Sequence, residues 1–150
     1  CRGTIQSLIS KGYNVAASFP VNIVTPERTV LSADAESIQV TTVNGSLGVL
    51  KGHAPLLAML GSGECVIRLD NQQVRRLAIS GGCLDVTRDR VTVLADAAEF
   101  EDEIDANRAE DALAKARQLL ASADASERDS AAVAMLRAQA RLRVVRGSGR

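Results

Sequence analysis

Two hydrophobic periods divide this chain. From Val21 to Asp96 the apolar residues come in short runs, several of them alternating, as in Ser37-Ile38-Gln39-Val40-Thr41. Turn signals interrupt the runs roughly every eight to twelve residues. They are Pro26-Glu27, Ala33-Asp34, Asn44-Gly45, Gly52, Gly61-Ser62-Gly63, Asp70-Asn71, Gly81-Gly82 and Arg88-Asp89. Cys65 to Leu69 and Val74 to Ile79 read as further strands, apolar but flecked with charge. Short strands at this spacing predict an antiparallel sandwich or barrel whose two sheets each bury one face. Asn44-Gly45 is the preferred pair for a tight hairpin turn.

After Asp105 the period lengthens to that of a helix. Ala109, Ala112, Leu113, Ala116, Leu119 and Leu120 recur on one face. Asp105 is placed to cap that helix, behind an acidic run of Glu99, Glu101, Asp102 and Glu103. The small polar stretch Ser122 to Ser126 predicts a turn. A second helix is expected from about Glu127 to Val145, with Val133, Leu136, Ala140 and Val144 on one face. Two helices with a short link form an antiparallel hairpin. The fold class expected is therefore α+β: an N-terminal antiparallel β-sandwich over 19–98, then a C-terminal antiparallel two-helix hairpin over 99–150. The Ala-rich seam buries little area per residue, which predicts marginal attachment of the hairpin to the sandwich. Residues 1–18 fit neither period. Ile5, Leu8 and Ile9 share one face of a helical turn that Gly12 ends, and weak order is expected there.

Composition narrows the function classes. With 46% hydrophobic but only 2% aromatic residues, the core must be built from Val, Leu, Ile and Ala. The formal net charge is zero, so no nucleic-acid partner is expected. Charge is nonetheless uneven: Arg137, Arg141, Arg143, Arg146 and Arg150 make the end of the chain basic. Cys1, Cys65 and Cys83 have no metal-ligand spacing and read as reduced thiols of a cytosolic setting. No apolar run approaches a membrane span, so direct membrane insertion is not expected. There is no P-loop, nucleophile elbow or zinc-protease motif. His53 has no partner at metal-ligand spacing, and beside Pro55 it reads as structural. Gly81-Gly82 reads as a bulge or close strand crossing, not a phosphate loop.

Three blocks carry more information than any of these. Gly45-Ser46-Leu47-Gly48 leads to His53-Ala54-Pro55-Leu56-Leu57; then come Ser80-Gly81-Gly82-Cys83-Leu84-Asp85-Val86 and Val91-Thr92-Val93-Leu94-Ala95-Asp96. In this order, and followed by a helical tail, they resemble the epsilon subunit of the bacterial F-type ATP synthase, over about Phe19 to Val145. The resemblance implies a non-catalytic rotor subunit with no required cofactor, peripheral to the bacterial cell membrane on its cytoplasmic side. It implies a sandwich that holds the gamma subunit and touches the c-ring. It implies a hairpin that permits turnover when folded on the sandwich. Extended toward the alpha and beta subunits, the same hairpin inhibits ATP hydrolysis. His53, Ala54 and Pro55 would lie in the loop that faces the c-ring. Ser46 joins them as an implied c-ring contact, at a position where the family often has an acidic residue.

Ile104-Asp105-Ala106-Asn107-Arg108-Ala109 matches the family's I/L-D-x-x-R-A pattern, which is linked in some members to ATP binding by the folded hairpin. Carried over by position, the resemblance implies a regulatory ATP site of Glu99, Asp105, Arg108, Lys115, Arg137 and Arg141. Lys115 replaces an Arg and so lacks a bidentate fork. The plainer alternative is that Asp105 only caps the helix and Arg108 pairs with Glu101 or Asp111. Two rival functions stand beside the rotor subunit: a stand-alone nucleotide-binding module, and an enzyme using His53 and Asp85. The second lacks any residue set with catalytic spacing.

Overall fold

The computed structural model describes residues 18–147. The expected weak order of the N-terminal extension, and Arg150, lie outside the described residues.

Alternate strand positions supply the core. Val21, Ile23, Ile38, Val40, Ile67, Leu77, Leu84 and Val93 are almost wholly buried. Each such side chain contributes about 1.5–3 kcal/mol by leaving water. They sit on five of the seven strands, which are β1 (Phe19–Val24), β2 (Thr29–Thr42), β3 (Gly45–Leu50), β4 (Leu56–Met59), β5 (Gly63–Leu69), β6 (Val74–Val86) and β7 (Val91–Phe100). A single 3-10 turn, Glu101–Glu103, leads to α1 (Ala106–Ser122) and α2 (Arg128–Gly147). The α+β architecture, a β-sandwich followed by a helix pair, is thus the one the periodicities predict.

The topology explains two turn signals that do not end strands. Ala33-Asp34 lies inside β2 and Gly81-Gly82 inside β6. Both strands are long because each changes partner midway. β2 pairs with β1 over Thr29 to Ala35, then with β3 over Ser37 to Thr42. Its register with β5 shifts between Ala35 and Ser37. β6 pairs with β5 up to Ile79, then with β4 from Cys83. A bend in a continuous strand turns the corner of the sandwich here, where separate strands would need a loop. β1 also lies parallel to β7, so the ring β1-β2-β5-β6-β7 closes on itself. That parallel pair is the exception to the expected antiparallel order.

Gly82 has φ +110, and a Cβ there would run into the Leu94 carbonyl. This is the close strand crossing expected of the glycine pair. The β2–β3 turn sits one residue earlier than expected. Thr42 pairs with Gly45, so Val43 and Asn44 form the tip, and Gly45 takes the positive φ of +124 on the way out.

Asp105 caps α1, its carboxylate accepting the Arg108 N–H at 3.2 Å. Ala109 and Ala116 are buried in the helix seam, while Leu119 is exposed. On α2 the expected buried face is right in its C-terminal half only. Ala140 and Val144 are buried, but Val133 and Leu136 are 42% and 47% exposed. The reason is reach. α2 touches β5 and β6 through its later turns, and among the described residues its earlier turns meet α1, through Ala131 and Ala138.

The docking row is specific. Glu64 on β5, Ala78 on β6 and Glu99 on β7 are cross-strand partners in one line. Ala140 and Val144 pack on Ala78, together with Ile104. Arg141 reaches Glu99, and Gly147 ends beside Glu64 and Arg76. Small apolar contacts flanked by ion pairs hold the hairpin down.

Candidate functional site

The linker between sandwich and hairpin is pinned from several sides. Phe100 N–H donates to Glu103 Oε2 at 2.9 Å, and Arg28 Nη2 donates to both Glu103 oxygens at 3.0 and 3.2 Å. The Phe100 N–H first, and Arg28 second, hold the Glu103 carboxyl below the ordinary carboxylate range. Arg75 lies over the Phe100 ring, 4.1 Å from its centre.

Beside this linker a cavity of about 250 Å³ is lined by Glu99, Glu103, Asp105, Arg108 and Arg141, with Ala109 and Ala112. It gathers four of the six residues implied as an ATP site. Lys115 and Arg137 do not line it; both are exposed on the helices. Arg141 already serves Glu99, and Arg108 makes no ion pair among the described residues. The lining carries three carboxylates and two guanidiniums. A polyphosphate entering here must take Arg141 away from Glu99.

The implied c-ring contact divides along the chain. Ser46 lies near the β2–β3 turn, where its Oγ accepts from Gln39 Nε2 at 2.8 Å. His53, Ala54 and Pro55 follow the opposite end of β3, roughly 13 Å further along at about 3.3 Å per residue. His53 Nδ1 faces the Ala54 carbonyl at 2.7 Å, which places a proton on that nitrogen. Lys51, Arg88 and Arg90, against the one carboxylate of Asp89 among the described lining residues, give this end of the sandwich a basic rim.

A third surface was not read from the sequence. Met59 on β4 pairs with Cys83 on β6, Cys83 with Leu94 on β7, and Leu94 with Val24 on β1. Their neighbours Ala58, Leu84, Val93 and Ile23 point into the core, so these four form an apolar row on the outer face. Met59 and Leu94 are 62% and 47% exposed, and adjoining Leu57 is 71% exposed. The signal was present: Leu56-Leu57-Ala58-Met59 and Val93-Leu94 are apolar at successive positions, which in a strand means both faces. The hairpin sits on the other half of β6 and leaves this row open.

Among the described residues no group of His, Cys, Asp and Glu is arranged to hold a metal ion. No described helix is long and apolar enough to cross a membrane.

Residues 18–101 match the profile of the ATP synthase Delta/Epsilon chain beta-sandwich domain. The ATP synthase epsilon chain of Symbiobacterium thermophilum is 44% identical over 130 residues, 85% of this chain and 92% of that one. The chain belongs to the ATP synthase epsilon family. The epsilon chain of Bacillus pumilus is 41% identical over 125 residues, covering 83% of this chain and 94% of its own. The fold recurs in the Euglena gracilis mitochondrial ATP synthase, solved with its OSCP, F1 and c-ring. There the TM-score is 0.77 at 22% identity, over 89% of this chain and 82% of that one. It recurs again in the Tetrahymena thermophila mitochondrial ATP synthase central stalk and c-ring, at a TM-score of 0.54 and 17% identity over 88% and 96%.

Proposed function

We propose that this chain is a non-catalytic rotor subunit of an F-type ATP synthase. Its sandwich joins the gamma subunit to the c-ring, on the cytoplasmic side of a bacterial membrane, and its hairpin restrains ATP hydrolysis. The observation that carries the reading is the open apolar row of Val24, Leu94, Cys83 and Met59. It spans four strands, is not covered by the hairpin, and is a surface on which a partner helix would exclude water. The basic rim around His53 supplies the second contact, toward the polar loops of the c-ring.

The hairpin suits a two-state element. It is held by few apolar contacts, and Leu119, Val133 and Leu136 stay exposed while it is docked. Released and extended, the same residues pack on the alpha and beta subunits, with Arg137, Arg141, Arg143 and Arg146 against acidic surface. ATP acts as a regulatory ligand at Glu99, Asp105, Arg108 and Arg141 by favouring the docked state, with Lys115 and Arg137 drawn in only by a shift of their side chains. A ligand moves such an equilibrium only by its differential affinity for the two states.

Co-purification with gamma tests the reading. Wild type should yield a stoichiometric pair, and Met59→Asp with Leu94→Asp should abolish it while the fold persists. A pair that survives both substitutions contradicts the assignment. In the assembled enzyme, replacing the four arginines by Ala should raise ATP hydrolysis, and unchanged hydrolysis removes the inhibitory role.

A further inference from the structure

A separate cavity stands apart from the one beside the Ile104-to-Ala109 motif. It measures about 570 Å³ and lies where the hairpin meets β5 and β6. Arg76 comes from β6, Arg117 from α1, and Arg143 and Arg146 from α2; among the described residues Glu64 on β5 is the single carboxylate in the lining. Leu113 and Leu142 give it an apolar side. It shares no residue with the cavity of Glu99, Arg108 and Arg141.

Its charges are unbalanced. Arg76 is held by Glu64 through Nη1. Arg146 is 4.0 Å from Glu110, both largely exposed, which is a weak contact. Arg117 and Arg143 make no ion pair among the described residues. Four guanidiniums therefore converge on a space with one carboxylate, and like charges at close range repel unless an anion joins them. Placement follows from helix spacing. Leu113 and Arg117 are one turn apart on α1, and Gln139, Arg143 and Arg146 share one face of α2.

We propose that this cavity is a second anion site, which takes an oligophosphate chain. Guanidinium forks match phosphate oxygens in pairs, and several forks around one space favour a chain of phosphates over a single small anion. The volume is ample for such a chain. The chain comes either from inorganic triphosphate or from a nucleotide, with the same contacts in both cases. The site is complete only when the hairpin is docked, because Arg76 and Glu64 belong to the sandwich and the other groups to the helices. Its ligand therefore stabilises the docked hairpin by mass action.

Calorimetric titration of the full chain with sodium triphosphate, and separately with ATP, tests this at low salt. Triphosphate binding is expected in wild type. Each of Arg117→Ala and Arg143→Ala, both at exposed helix positions where Ala keeps the fold, should weaken it about tenfold or more. Arg68→Ala, at an exposed β5 position that lines neither cavity, should leave triphosphate binding unchanged. In wild type, triphosphate should also slow amide exchange along α2. Absence of heat at millimolar triphosphate overturns the proposal, as does unchanged affinity in Arg143→Ala. ATP binding without triphosphate binding overturns it as well, since the nucleoside would then carry recognition. None of these results depends on gamma binding, so the rotor assignment stands or falls separately.

Discussion

Arg141 and Glu99 meet across the seam between α2 and β7, with Nε at 3.0 Å and Nη2 at 2.6 Å from the same carboxylate oxygen. Their side chains are 30% and 33% exposed. Solvent therefore screens the pair, and it is worth about 1 kcal/mol or less. That is still a large share of a docking surface made of Ala78, Ala140 and Val144.

Arg141→Ala should loosen the hairpin without touching the sandwich. Amide exchange in the later turns of α2 should quicken up to about fivefold. Exchange in the core strands should not change. Equal quickening in both parts would show that sandwich and hairpin open as one unit.

Gly82→Ala should damage the sandwich itself. The left-handed backbone and the Leu94 carbonyl both oppose a side chain there. A loss of about 2–4 kcal/mol is expected, seen as a lower denaturant midpoint with β6 exchange accelerated. A near-neutral effect would mean that the β6 bend relaxes easily.

Glu103 should confer a pH dependence. Its folded-state pKa lies below the ordinary value, through the Phe100 N–H and Arg28. A depressed carboxyl stabilises fully above its unfolded value, about 4.3, and that stabilisation is lost as pH falls through the folded value. Glu103→Gln keeps an acceptor for Phe100 N–H but loses the charge. Wild type should melt higher than this variant at neutral pH, and the gap should shrink as pH falls below about 4.3 toward the lower folded value. A gap constant with pH would contradict the assignment.

What the sequence revealed, and what it hid, follows from the range of each interaction. Asp105 as a cap, the two helices and the alternating strands are local, and each is legible from residues within a few positions. The long spans of β2 and β6 were hidden, because Ala33-Asp34 and Gly81-Gly82 look like turns to any local reading. Only pairing with two different partners makes them bends. Val133 and Leu136 misled for a related reason: helical spacing shows that a face is apolar, not how far the sandwich extends beneath it. Arg76 was legible as charge on a strand, but its meeting with Arg117 and Arg143 joins three elements far apart in sequence.

The central claim is that the row of Val24, Leu94, Cys83 and Met59 seats the gamma subunit, and Cys83 reports on it directly. Cys83 is partly exposed in the middle of the row, while Cys65 is fully buried and its thiol is pushed far up by burial. With Cys1 replaced by Ser, a maleimide should label Cys83 alone in the free chain. Labelling rates measured with and without gamma settle the point. Strong protection of Cys83 in a stable complex is the result predicted. A stable complex in which Cys83 labels as fast as in the free chain would place gamma elsewhere and contradict the account.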